Sequence, residues 1–119
     1  MRYVDGFVLP VPKRKLRAYR RMAQKSSKIW RDHGALAFRE CVADDVKPGK
    51  RTSFPQSVKL KRGETVLFSY IVYKSRAHRD RVNARVMKDP RITAMGDIKD
   101  LPFDAGRMIW GGFKVLVDA

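Results

Sequence analysis

Two carboxylates sit where strands ordinarily place apolar side chains. Asp5 lies in "RYVDGFVL" between Tyr3 and Phe7, and Glu40 shares one face of "ALAFRECVA" with Leu36, Phe38 and Val42. A carboxylate in such surroundings must be paired, hydrogen-bonded or shifted upward in pKa. Two readings follow. Either residue is an acid or base lining a pocket, or each belongs to an ion pair, for example with Arg107 or Arg39. Cys41, beside Glu40, is the single thiol. As a nucleophile it needs a cation or base next to it. The chain has only His33 and His78, expected at a helix end and a helix start, and without one of them Cys41 is an inert, half-buried thiol. These residues have no metal-ligand spacing, and neither a phosphate-cradling glycine loop nor a hydrolase elbow occurs. No cofactor or metal is expected. The pocket candidates are Asp5, Glu40, Cys41, Arg107 and Trp110.

A second chemistry is carried by charge. Lys and Arg number 27 against 12 Asp and Glu, a formal net charge of +15, which favours association with polyanions or an anionic surface. Arg14, Arg17, Arg21, Lys25 and Lys28 recur three or four residues apart, so a helix would gather them into one stripe. Lys13, Arg14 and Lys15 fall in its first turn, where the helix dipole disfavours cations. The stripe is either a weak, sequence-blind contact for RNA, DNA or another polyanion, or the solvated face of a generally basic protein. "RGETVLF" has the basic-Gly opening of an RNA-recognition strand but not its stacking aromatics.

The elements that must position these groups are legible in outline. Residues 2–9 read as a first strand, stopped by Pro10 and Pro12, with Pro12 opening a helix. Leu16, Tyr19, Ala23, Ser26 and Trp30 keep helical spacing up to His33, and Gly34 stands where a helix is closed. A second strand follows at 35–43, then a polar connection at 44–55 and a short extended piece near 56–60. The turn "KRGE" leads into a third strand at 65–73. Ser75 caps a second helix at 76–88, Asp89-Pro90 starts one further turn closed by Gly96, and the last strand spans 107–117. The order is the ferredoxin-like β-α-β-β-α-β, an α+β fold with both helices on one face of an antiparallel sheet and strands one and three in its middle. At 119 residues and 44% hydrophobic, one domain spans 1–119 and buries roughly two-thirds of its unfolded surface. Asp5 interrupts any secretory signal and "VLFSYIVY" is far short of a membrane span. With one cysteine, a soluble cytoplasmic protein is expected.

Two helices cover one sheet face, yet both faces read as apolar. In the last strand Ile109, Gly111, Phe113, Val115 and Val117 suit packing under the helices, which leaves Met108, Trp110, Gly112, Lys114 and Leu116 outside. A water-facing row should be polar. Phe68, Tyr70, Met108, Trp110 and Leu116 are therefore expected to meet a second copy of the chain. The Gly111–Gly112 pair, with Gly6 alongside, reads either as a bulge or as a slot for a partner's aromatic ring or a ligand.

Four blocks carry a resemblance as well. "MRYVDGFVLPVP", "HGALAFRECVADDV", "DPR" and "LPFDAGRMIWGGF" resemble the bacterial YbaA-like family, a domain of unknown function, across essentially the whole chain. The resemblance implies a homodimeric α+β barrel of two ferredoxin-like sheets stacked face to face; it carries an architecture and no reaction. The strong positive charge departs from what that family requires. Proteins with such stacked sheets include cofactor-independent monooxygenases and small-molecule-binding enzymes, which hold ligands in an apolar cavity between sheet and helices. Tyr3, Phe7, Trp30, Phe68, Tyr70, Phe103 and Trp110 would line that cavity or simply form the core.

Overall fold

The chain's apolar residues alternate along its strands and recur at helical spacing between them, and the computed structural model shows what those patterns build. It describes residues 1–119, the side chain of Ile98 excepted. Strand β1 (Tyr3–Pro12) leads through one 3-10 turn at Lys13–Lys15 into helix α1 (Leu16–Asp32). Then come β2 (Ala37–Val42), the single turn α2 (Phe54–Ser57), β3 (Glu64–Tyr73), α3 (Arg76–Met87) and the single turn α4 (Pro90–Thr93). A 3-10 turn at Ala105–Arg107 precedes β4 (Ile109–Lys114). The four strands form one antiparallel sheet in the order β2-β3-β1-β4, with β3 and β1 in the middle. The result is an α+β fold compatible with the ferredoxin-like arrangement.

Register decides the two faces of the sheet. Tyr3, Leu9 and Val11 of β1 point the same way as Leu67, Ile71 and Tyr73 of β3, and all six are buried. Ile29 of α1 with Val82 and Val86 of α3 covers one end of this face, and Tyr19 and Ala23 of α1 cover the other. Burying such side chains contributes about 1.5–3 kcal/mol each, which holds both helices on one side. Gly34, at φ +109°, closes α1 as its position predicts. The oxygens of Ser75 and Asp89 accept backbone N–H bonds at the starts of α3 and α4.

Several boundaries differ from the sequence-based expectation. β1 does not stop at Pro10 but runs through both prolines to Pro12. The Lys13 N–H donates toward β3, to the Gly63 carbonyl, so residues of the other parity turn their nitrogens away from β3. β4 pairs only with Tyr3–Val8, so the nitrogens of Pro10 and Pro12 face a side with no partner strand and their missing N–H groups cost no ladder bond. The extended piece expected near 56–60 is instead the α2 turn: Ser53 accepts from Gln56 N–H, and Pro55 occupies the helix start. β2 and β4 are shorter than expected, at Ala37–Val42 and Ile109–Lys114.

The faces of β4 are reversed from the expectation. Trp110 lies opposite Phe7 and Gly112 opposite Asp5, so both belong to the helix side, while Ile109, Gly111 and Phe113 belong to the open one. Both rows of β4 are largely apolar, so the strand's own pattern does not set its orientation; pairing with β1 does. No bulge interrupts the β1–β4 register, and each glycine makes room for a side chain of this same chain. A Cβ on Gly111 would sit 3.6 Å from the Phe113 ring, which also approaches Gly6. A Cβ on Gly112 would fall 2.2 Å from the Tyr3 hydroxyl.

Candidate functional site

Edge strand β2 and helix α1 diverge, and a cleft of about 490 Å³ opens between them. Helical spacing makes one wall, Leu16, Arg20, Gln24 and Ser27 following one another up α1; strand alternation makes the other, from Phe38, Glu40 and Val42. Tyr19, Ala23 and Leu67 close the cleft between them. A smaller hollow of about 210 Å³ shares Tyr19, Ala23, Phe38 and Glu40 with it and extends toward Phe7, Trp30, Phe103 and Met108.

Glu40 is the acidic group of this cleft. The Tyr19 hydroxyl donates to its carboxylate, at 2.8 Å from Oε1 and 3.0 Å from Oε2. Burial pushes the Glu40 carboxyl above its usual range, and hydrogen bonds from Tyr19 and Ser69 pull partly the other way. The Tyr19 phenol is pushed far up, by burial first and by the Glu40 charge second, so it stays protonated and donates. Glu40 thus meets a phenol rather than the Arg107 or Arg39 considered from sequence. Such a carboxyl, lifted toward neutrality beside apolar walls, can accept or give a proton.

Asp5, the other expected acid, is buried on the same side of the sheet but belongs to a different cluster. Arg79 Nη1 lies 3.4 Å from Asp5 Oδ1, and the guanidinium sits 5.0 Å over the Tyr3 ring. Arg79 also donates to the Tyr3 hydroxyl at 3.3 Å, the oxygen for which Gly112 leaves space. Burial raises the Asp5 carboxyl pKa against the pull of Arg79. This is the ion-pair outcome, made with a cation on α3 that sequence reasoning did not select.

The remaining pocket candidates disperse. Cys41 is exposed and, opposite Phe68, turns toward the open face of the sheet. Arg107 is bound by Glu64 at 2.6 Å and Asp104 at 2.9 Å, which ties the turn before β4 to the start of β3. Trp110 stacks on Phe7 with ring centroids 6.3 Å apart and is itself largely exposed. His33 contacts Asp89 at 2.8 Å, and the His78 ring accepts the Lys74 N–H; neither is near Cys41 in any contact. Among the described residues no cluster of three His, Cys, Asp or Glu could hold a metal ion, and no helix is long and apolar enough to cross a membrane.

Of the row expected at a partner surface, Phe68 and Tyr70 do lie on the open face. Met108 packs beneath the helices with Leu9 and Tyr19, and Trp110 is on that same side, both because of the β4 register. Leu116 lies past the end of β4. Arg14, Arg17, Arg21, Lys25 and Lys28 are all exposed, Lys28 at 3.8 Å from Asp32. Sequence spacing puts Tyr19 on the apolar row of the helix and gives neither it nor Arg20 a place in a cleft. The available signal was Tyr19 itself, a phenol on the apolar stripe facing a strand that carries a carboxylate.

Comparison with known proteins places the chain. It is 47% identical over 118 residues to the uncharacterized protein YbaA of Escherichia coli K12, covering 99% of both chains, and equally to that of Shigella flexneri. Among solved structures, the de novo designed protein Foldit4 is similar at a TM-score of 0.49 and 10% identity, over 97% of this chain and 99% of that one. The model of the DUF1428 family, proteins of unknown function, matches residues 2–105, and with that match the chain belongs to this family.

Proposed function

We propose that the protein binds a small, largely apolar molecule in the α1–β2 cleft and exchanges a proton with it through Glu40. The carrying observation is the Tyr19–Glu40 pair: an acid–base group inside a concave, mostly apolar site of ligand size. Tyr19 fixes the carboxylate's orientation, and Phe38, Val42 and Leu67 give it apolar surroundings, which strengthens its interaction with any charge developed on the ligand. Whether proton exchange is carried through to a reaction depends on the ligand. The test uses phenylnaphthylamine, a neutral apolar fluorophore, with methyl NMR to locate it. Binding should shift the Ala23, Val42 and Leu67 methyl signals and be lost in Gln24→Trp, which fills the cleft from an exposed helix position. Unmoved methyl signals would sink the reading.

The same reading has the protein act as a homodimer, two sheets meeting by their open faces in an α+β barrel. What supports it is that Phe113, Ile109 and Phe68 are 63%, 46% and 43% exposed on that face, beside Val4, Val8, Tyr70 and Val72. A second reading draws on the cationic stripe, Arg14 in the turn before α1 with Arg17, Arg21, Lys25 and Lys28 on the helix, whose exposed charges would attract a nucleic-acid backbone without regard to sequence.

A further inference from the structure

We infer that the ligand of the α1–β2 cleft is an anion: an apolar body carrying a carboxylate or similar acidic group, which Arg20 pairs at the cleft mouth. This rests on the cleft being a ligand site and adds the charge of what enters it.

The argument begins with position. Arg20 falls one turn after Leu16 and one turn before Gln24, in the α1 row that forms the cleft wall. It is the cleft's one cationic lining residue. Arg31 is bound to the carbonyls of Ala35 and Leu36, and Arg79, Arg91 and Arg107 are all paired with carboxylates. Among the described residues Arg20, like the exposed Arg14, Arg17 and Arg21, has neither an ion pair nor a side-chain hydrogen bond, and of these four it alone lines the cleft. The acid lining the same cleft, Glu40, accepts the Tyr19 hydroxyl with both oxygens and makes no ion pair with Arg20.

A guanidinium offers a planar fork of donors that matches a carboxylate or sulfonate in two parallel bonds. A neutral ligand filling the cleft would cover part of Arg20's water shell and return nothing, whereas an anion replaces that water with a charge-assisted contact. The remainder of the lining provides apolar contact from Leu16, Phe38, Val42 and Leu67. Gln24 and Ser27, further along the same wall, are polar and uncharged, so the acidic group is directed to the Leu16 end and the body toward Glu40.

The experiment compares anilinonaphthalene sulfonate with phenylnaphthylamine, the same aromatic body with and without an acidic group. Fluorescence titrations are run at high salt, where the long-range field of a +15 chain is screened to a few ångströms. Wild type should bind the sulfonate about tenfold more tightly than the neutral probe, one charge-assisted contact's worth. Arg20→Gln should bring the ratio near one. Arg14→Gln, which alters an exposed arginine outside the cleft, should leave the preference intact. A preference that persists in Arg20→Gln, or falls equally in Arg14→Gln, overturns the assignment while leaving the cleft as a binding site. If neither probe moves the Ala23, Val42 and Leu67 methyl signals, the cleft itself is not a ligand site and both proposals fall.

Discussion

At the scale of single residues, the chemistry turns on how each buried carboxyl is accommodated. Glu40 and Asp5 are raised above the ordinary range by burial, whereas Glu64 is lowered, chiefly by hydrogen bonding to Arg107. These shifts act on stability in opposite directions. For Glu40 the native pKa lies above the ordinary 4.5, so its contribution is complete below that pH and drains away as pH rises through the native value. Glu40→Gln should therefore gain stability relative to wild type across that rise, read by urea unfolding at several pH values. Glu64 contributes above 4.5 and its share is lost as pH falls. Tyr19→Phe removes a donor, so it should cost about 1 kcal/mol and raise the Glu40 pKa further, followed by carboxyl NMR. Asp5→Asn should cost roughly 1–3 kcal/mol by removing the inner of Arg79's two carboxylate partners and leaving it only the exposed Asp80. That both acids share a strand row with apolar neighbours was legible from alternation, but which face of the sheet that row takes was set only by strand pairing and helix packing. Their partners were not legible, because Tyr19 and Arg79 lie on helices whose rotation about their axes only packing sets.

Among the elements, β4 shows where reading a sequence stops. Its existence follows from "RMIWGGFKVLV", but a strand greasy on both rows has no preferred face until β1 pairs with it. The glycine pair then acquires a local meaning. Gly112→Ala should destabilise by about 1–3 kcal/mol, because its methyl collides with a Tyr3 ring that is itself held by Arg79. Gly111→Ala should change stability far less, since its methyl meets Phe113 at ordinary contact distance. Thermal unfolding of the two variants distinguishes this from a general need for thinness in the sheet, which would penalise both alike. The helices were more legible than the strands: spacing, Gly34 and the Ser75 and Asp89 caps are local signals, whereas strand ends depend on how far a neighbour happens to extend.

For the molecule as a whole, the open sheet face and the surplus of cations make separate demands. Light scattering should report twice the 13.7 kDa chain mass, and Phe113→Asp, at an exposed site, should halve it with little loss of secondary structure by circular dichroism. A wild-type particle of one chain would remove the barrel. The cationic stripe faces away from the sheet on α1, so a nucleic-acid contact would survive that variant. Filter binding of generic RNA should then fall steeply as salt rises, and a flat series would leave the stripe as solvated surface. The prolines of β1 add a constraint on any such assembly. On the stretch that β4 leaves uncovered, Pro10 and Pro12 carry no N–H, so that margin of β1 has no donor to give an added strand at either position. Lateral growth of the sheet is thereby confined to its outer strands, β2 and β4.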